Sequence, residues 1–131
     1  MTQEERQGLL DLLNDESRWC RDFEARDSNG DPTCFDSDDA VSWDLTGAIC
    51  RLCGWDRALA LFGQFARHIN GRRTSVLLSR DNGVGAMGEL QVFNDHPETT
   101  FDDIRRQIDS MPIWSPGGRR SNDDSQPTEI G

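Results

Sequence analysis

Apolar residues recur along the chain at helical spacing in several places. Leu9, Leu10, Leu12 and Leu13 sit among charged neighbours, just after the pattern Thr2-x-x-Glu5. That pattern is a capping box, so a short amphipathic helix is predicted over about residues 3–16, with Trp19 and Phe23 packed under it. From Arg26 to Ser37 turn-forming residues prevail, with Asn29-Gly30 and Pro32 among them, and this stretch reads as a loop. Ser37 then offers an N-cap, with Asp38 and Asp39 in the positive first turn of a second helix. Val41, Leu45, Ala48, Ile49 and Leu52 form its buried face, and Cys53-Gly54 ends it. Gly47 inside that helix costs up to about 1 kcal/mol against Ala, which points to close approach of another helix. A third helix is read as capped by Asp56. Ala58, Leu59, Leu61, Phe62, Phe65, Ala66 and Ile69 give it a wide apolar stripe, and Asn70-Gly71 ends it.

Residues 74–93 carry no clear period. Ser75 to Ser79 and Glu89 to Phe93 read either as two short strands or as irregular packed segments. Thr100 and Asp103 open a last helix, with Phe101, Ile104 and Ile108 facing inward and Pro112 ending it. Beyond it Trp114 stands nearly alone among Pro, Gly, Ser and Asp, a composition that predicts disorder. The expected fold is mainly α: a compact bundle of about four helices with room for a short β-hairpin. The expected domain is residues 1–111, with a disordered tail over 112–131.

Composition narrows the functional classes. The 131 residues suit one domain. They carry 24 acidic and 14 basic residues, a formal charge of −10, and every basic residue is Arg. The absence of Lys and Tyr fits GC-rich coding. A charge this negative argues against nucleic acid and anionic membranes as partners and suits a protein partner with a basic surface. The N-terminal stretch is polar, and no apolar run approaches the roughly 18 residues that cross a bilayer. The expected location is therefore cytoplasmic, with reduced cysteines.

Several short motifs together suggest a family. They are Trp19-Cys20, Asp27-x-x-Gly30, Ala40-Val-x-Trp43-x-x-x-Gly47-Ala48-Ile49, Phe93-Asn94-Asp95 and Thr99-Thr100-x-x-Asp103-Ile104. The pattern resembles a family of small bacterial and phage proteins of unknown function, over roughly residues 9–108. It departs at Phe93, where Trp is expected, and at Asp44, where Cys or Ser is commoner. The resemblance implies a helical domain and supplies no reaction and no ligand. It points to Trp43, Gly47, Ala48, Asn94 and Asp95 as motif residues, which we read as structural.

Candidate chemistry is sparse. Gly83-Val84-Gly85-Ala86-Met87-Gly88 matches G-x-G-x-x-G. Only Glu89 to Phe93 then precede Asn94-Asp95-His96-Pro97, which leaves no room for the helix a dinucleotide site needs. Cys20, Cys34, Cys50 and Cys53 could supply four thiolates to zinc. Only Cys50 and Cys53 have knuckle spacing, and both also read as small buried residues at a helix C-terminus, where the dipole opposes a thiolate. Asp27-Ser28-Asn29-Gly30-Asp31 begins like a calcium loop, but Pro32 and Asp38 stand where that loop needs Gly and Glu, so a tight turn is expected. Asn94, Asp95 and His96 place a possible acid and base together without a nucleophile nearby. Capping and turn closure are the expected role of Asn94 and Asp95.

The stretch from Asp22 to Asp44 holds eight acidic residues and only Arg26 as a cation. Its carboxylates are expected to be exposed, and Asp36, Asp38 and Asp39 are the expected contacts to a basic partner. The expected function is thus a non-catalytic interaction or inhibitor-like accessory module with no cofactor. The alternative is a small zinc-binding protein, and an enzyme comes third.

Overall fold

The computed structural model describes residues 1–71 and 84–113. Along the chain these form α1 (Gln3–Leu12), one 3-10 turn (Glu16–Arg18), β1 (Ala25–Arg26), β2 (Ser42–Trp43), α2 (Leu45–Cys53), α3 (Trp55–Asn70), α4 (Val84–Asp95) and α5 (Phe101–Ser110). The fold is mainly α, with one small antiparallel pair of strands. Central α3 packs on α2 and α4, and α1 packs on α2 and α5. Leu9, Leu13, Leu45, Ile49, Phe62, Phe65, Leu90, Ile104 and Ile108 meet in one core.

Local chemistry sets several boundaries. The Thr2 box closes at both arms: Thr2 N donates to Glu5 Oε1 at 2.8 Å, and Glu5 N donates to Thr2 Oγ1 at 3.1 Å. A second box does the same for α5, with Thr100 N on Asp103 Oδ2 at 2.9 Å and Asp103 N on Thr100 Oγ1 at 3.1 Å. Each satisfies donors that a helix start leaves unpaired, typically worth about 1 kcal/mol.

Elsewhere the structure corrects the sequence reading. Helix α2 begins at Leu45 with Asp44 as its N-cap, not at Ser37. The residues between are held otherwise: Ser42 and Trp43 pair with Arg26 and Ala25, so the chain is extended until Asp44. Ser37 Oγ still accepts the Asp39 N–H, in a turn. Helix α3 is capped by Gly54 at φ 81°, and Asp56 lies in its first turn. Glu89 to Phe93 are helical, part of α4. The helix excluded after the glycine motif therefore exists, with Gly85 and Gly88 inside it. Ser75 to Ser79, Gly83 and the tail from Trp114 onward lie outside the described residues. The helix α1 stops at Leu12, and Phe23 lies at the surface with the Arg26 guanidinium 4.8 Å over its ring.

Candidate functional site

A single buried amide organises the junction of three distant segments. Asn94, near the end of α4, has no exposed surface. Its Oδ1 accepts the Trp19 indole N–H at 2.7 Å and the Leu45 N–H at 3.0 Å. Its Nδ2 donates to the Cys20 carbonyl at 3.0 Å and to Asp95 Oδ1 at 2.9 Å. All four hydrogen bonds an amide of this geometry offers are used, as a buried polar group requires. Asp95 Oδ1 also accepts the Asp22 N–H at 2.8 Å. Asp22 sits at φ 76°, a left-handed conformation that costs an L-residue roughly 1–2 kcal/mol. That N–H contact helps hold it there.

Glycine brings the next segment close. A Cβ on Gly47 would overlap the Glu24 carbonyl, so α2 meets the backbone beside β1 at that point and not another helix. Asp44 N donates to the same carbonyl at 3.2 Å. The Glu24 side chain turns to accept the Phe35 N–H at 2.9 Å.

The result is a cleft of about 590 Å³ with Asp22, Glu24, Asp44 and Asp95 on its wall, joined by Phe23, Cys34 and Gln91. Asp44 is the unusual member, since only 2% of its surface is exposed. Its Oδ1 accepts from Gly47 N at 2.6 Å and Thr46 Oγ1 at 2.9 Å. Its Oδ2 makes no hydrogen bond among the described residues. Burial pushes its carboxyl up to about 6, against the pull of the two hydrogen bonds. The largest charge effects on it, from Asp95 and Glu24, both come from negative groups. A buried carboxylate normally has a cationic partner. This one has none.

The acidic stretch therefore divides. Asp36, Asp38 and Asp39 are exposed on the turns beside the cleft, as expected for a solvent-facing surface. Asp44 is buried, contrary to the expectation of exposure. Asp27 is used in its own turn: its Oδ1 accepts from Asn29 N at 2.9 Å and Asp31 N at 3.0 Å.

The cysteines scatter in environment. Cys20 and Cys50 are buried, Cys53 is half-buried and Cys34 is exposed at the cleft. Among the described residues, no three His, Cys, Asp or Glu side chains gather in a way that could hold a metal ion. Burial pushes the Cys50 thiol up to about 12 and those of Cys20 and Cys53 up to about 11. His96 lines a different cleft, and its Nδ1 accepts the Glu98 N–H at 3.1 Å. Of the motif residues, Trp43 is buried with its indole N–H on the Phe35 carbonyl at 2.9 Å, and Ala48 is in the core. Asp22, Glu24 and Asp44 were visible in the sequence as charges. Nothing local marked them as neighbours of Asp95.

The profile of a family of unknown function (DUF6197) matches residues 6–111. Neither the curated proteins nor the solved structures compared contain a match.

Proposed function

We propose that this chain, which belongs to the DUF6197 family of unknown function, is a non-catalytic interaction module that binds a basic side chain of a protein partner in its acidic cleft. The observation that carries this reading is Asp44. It is buried, two further carboxylates act on it, and among the described residues neither a donor to its Oδ2 nor a cationic partner is found. A guanidinium or ammonium entering the cleft would supply the missing charge and a donor for Oδ2. Asp36, Asp38 and Asp39 lie outside the cleft and would act at longer range, raising the encounter rate with a positive surface. No nucleic acid and no cofactor enter this reading, and no described helix is long and apolar enough to cross a membrane.

The other two readings have less behind them. Four-cysteine zinc binding would need a gathered ligand set, which the described residues lack. Acid–base catalysis by Asp95 and His96 would need both in one cleft, and they line different ones.

A tetra-arginine peptide with blocked ends is the direct probe. Fluorescence titration should show saturable binding that weakens with added salt. Asp95→Asn should weaken it at equilibrium. Reversal of Asp36, Asp38 and Asp39 to Arg should mainly slow association. Affinity indifferent to both changes and to salt would refute the proposal.

A further inference from the structure

A second cleft, of about 780 Å³, lies between one face of α3, from Arg57 in its first turn to His68 in its last, and the chain leaving α5. Its volume is in the range of small-molecule sites. One side is apolar, with Pro112 and Ile113 at its surface over the buried Met1 and Met111, and the other carries Arg57, Gln64, Arg67 and His68. In a chain with 24 acidic residues, no Asp or Glu among the described residues lines it.

The polar wall has donors to spare. Arg57 is committed to Glu5, with Nε on Oε2 at 2.7 Å and Nη2 on Oε1 at 2.8 Å. His68 Nε2 shares a hydrogen bond with Ser110 Oγ at 2.8 Å. Gln64 uses only its oxygen, accepting from the Met1 amine at 2.6 Å. Its Nε2 and the whole Arg67 guanidinium make no hydrogen bond or ion pair among the described residues. Donors and positive charge on one wall, facing aliphatic carbon on the other, call for a ligand with the opposite arrangement.

We infer that this cleft binds a small amphipathic carboxylate, its charged head against Arg67 and Gln64 Nε2 and its aliphatic body along Pro112 and Ile113, above the buried Met111. The site is separate from the acidic cleft, shares no lining residue with it among the described residues, and takes a ligand of opposite charge.

Decanoate titrated into the full-length chain tests this, with the methionine methyl groups followed by NMR. The Met111 methyl should shift saturably, while that of Met87, which does not line the cleft, stays still. Arg67 is exposed, so Arg67→Gln should leave the fold intact and weaken decanoate at least about tenfold, the scale of one charged hydrogen bond. Decanol, which has the same chain without the charge, should bind more weakly than decanoate and ignore Arg67→Gln. No saturable Met111 shift, equal affinity for decanol, or decanoate affinity unchanged in Arg67→Gln would each overturn the inference.

Discussion

Replacing Asp44 by Asn keeps the shape of the side chain and removes its charge. Asn and Asp are equally good N-caps, so the hydrogen bonds from Gly47 and Thr46 to Oδ1 have a replacement acceptor. What changes is ionisation. Burial raises this carboxyl from 3.8 to about 6, so the native state holds the proton more tightly than the unfolded chain does. Between those two values the native state binds more protons, and stability falls as pH rises through the window. Each tenfold change in proton affinity is worth about 1.4 kcal/mol, which puts the full cost of ionised Asp44 near 3 kcal/mol. Asp44→Asn should therefore stabilise the free protein by up to about 3 kcal/mol above about pH 7, and the gain should fade to nothing below about pH 4. Urea denaturation at several pH values measures it directly, as a midpoint shift at constant slope. The same variant should bind the tetra-arginine peptide less well, a gain in stability at the expense of binding. An Asn variant that is less stable at every pH, by the same amount, would show that Asp44 is only a helix cap and would remove the basis of the proposed function.

Three further outcomes test the rest of the structure. Asn94→Ala strips partners from the Trp19 indole, the Leu45 N–H and the Cys20 carbonyl at once, and should cost at least about 3 kcal/mol in a urea melt; a loss under about 1 kcal/mol would contradict the amide's central place. The Arg57 guanidinium holds the Glu5 carboxyl down at about 2 from its ordinary 4.5, so this pair adds stability that is present above about pH 4.5 and is lost as pH falls toward about 2. Glu5→Gln should flatten the acid limb of the stability curve over that window, and an unchanged limb would show that the pair is not its source. With Ellman's reagent at mildly alkaline pH, exposed Cys34 should react fast and Cys20, Cys50 and Cys53 only on unfolding, because burial raises those three thiols; Cys34→Ser should abolish the fast phase, and its survival would contradict the assignment.

Features decided within one or two helical turns were legible in the sequence. The Thr2 and Thr100 boxes and the stripes through Leu9 and Leu13, through Phe62, Phe65 and Ala66, and through Ile104 and Ile108 all fall where the pattern placed them. Features decided by distant contacts were not. Ser37-Asp38-Asp39 is as good a local helix start as Asp44, and only pairing of Ser42 and Trp43 with β1 selects the later one. Helix α4 was hidden because Gly85 and Gly88 weaken its propensity and its inward line, Ala86, Leu90 and Asn94, ends on an amide. The acidic cleft depends on a contact between Asp22 and Asp95, far apart in the chain, and no spacing rule encodes that.

Gly47 carries a consequence for how relatives of this chain are compared. The Glu24 carbonyl occupies the space of its missing side chain, so every other amino acid is excluded there on steric grounds alone. Sequences that share this backbone must retain glycine at that position whether their partner is the same, different or lost. The same reasoning covers Asn94, whose four bonds no other side chain reproduces. Invariance at these two positions would record inheritance of the scaffold. Divergence of role between relatives should be sought at Asp44, Glu24 and the Asp36–Asp39 turn, where a change of charge leaves the backbone free to stay as it is.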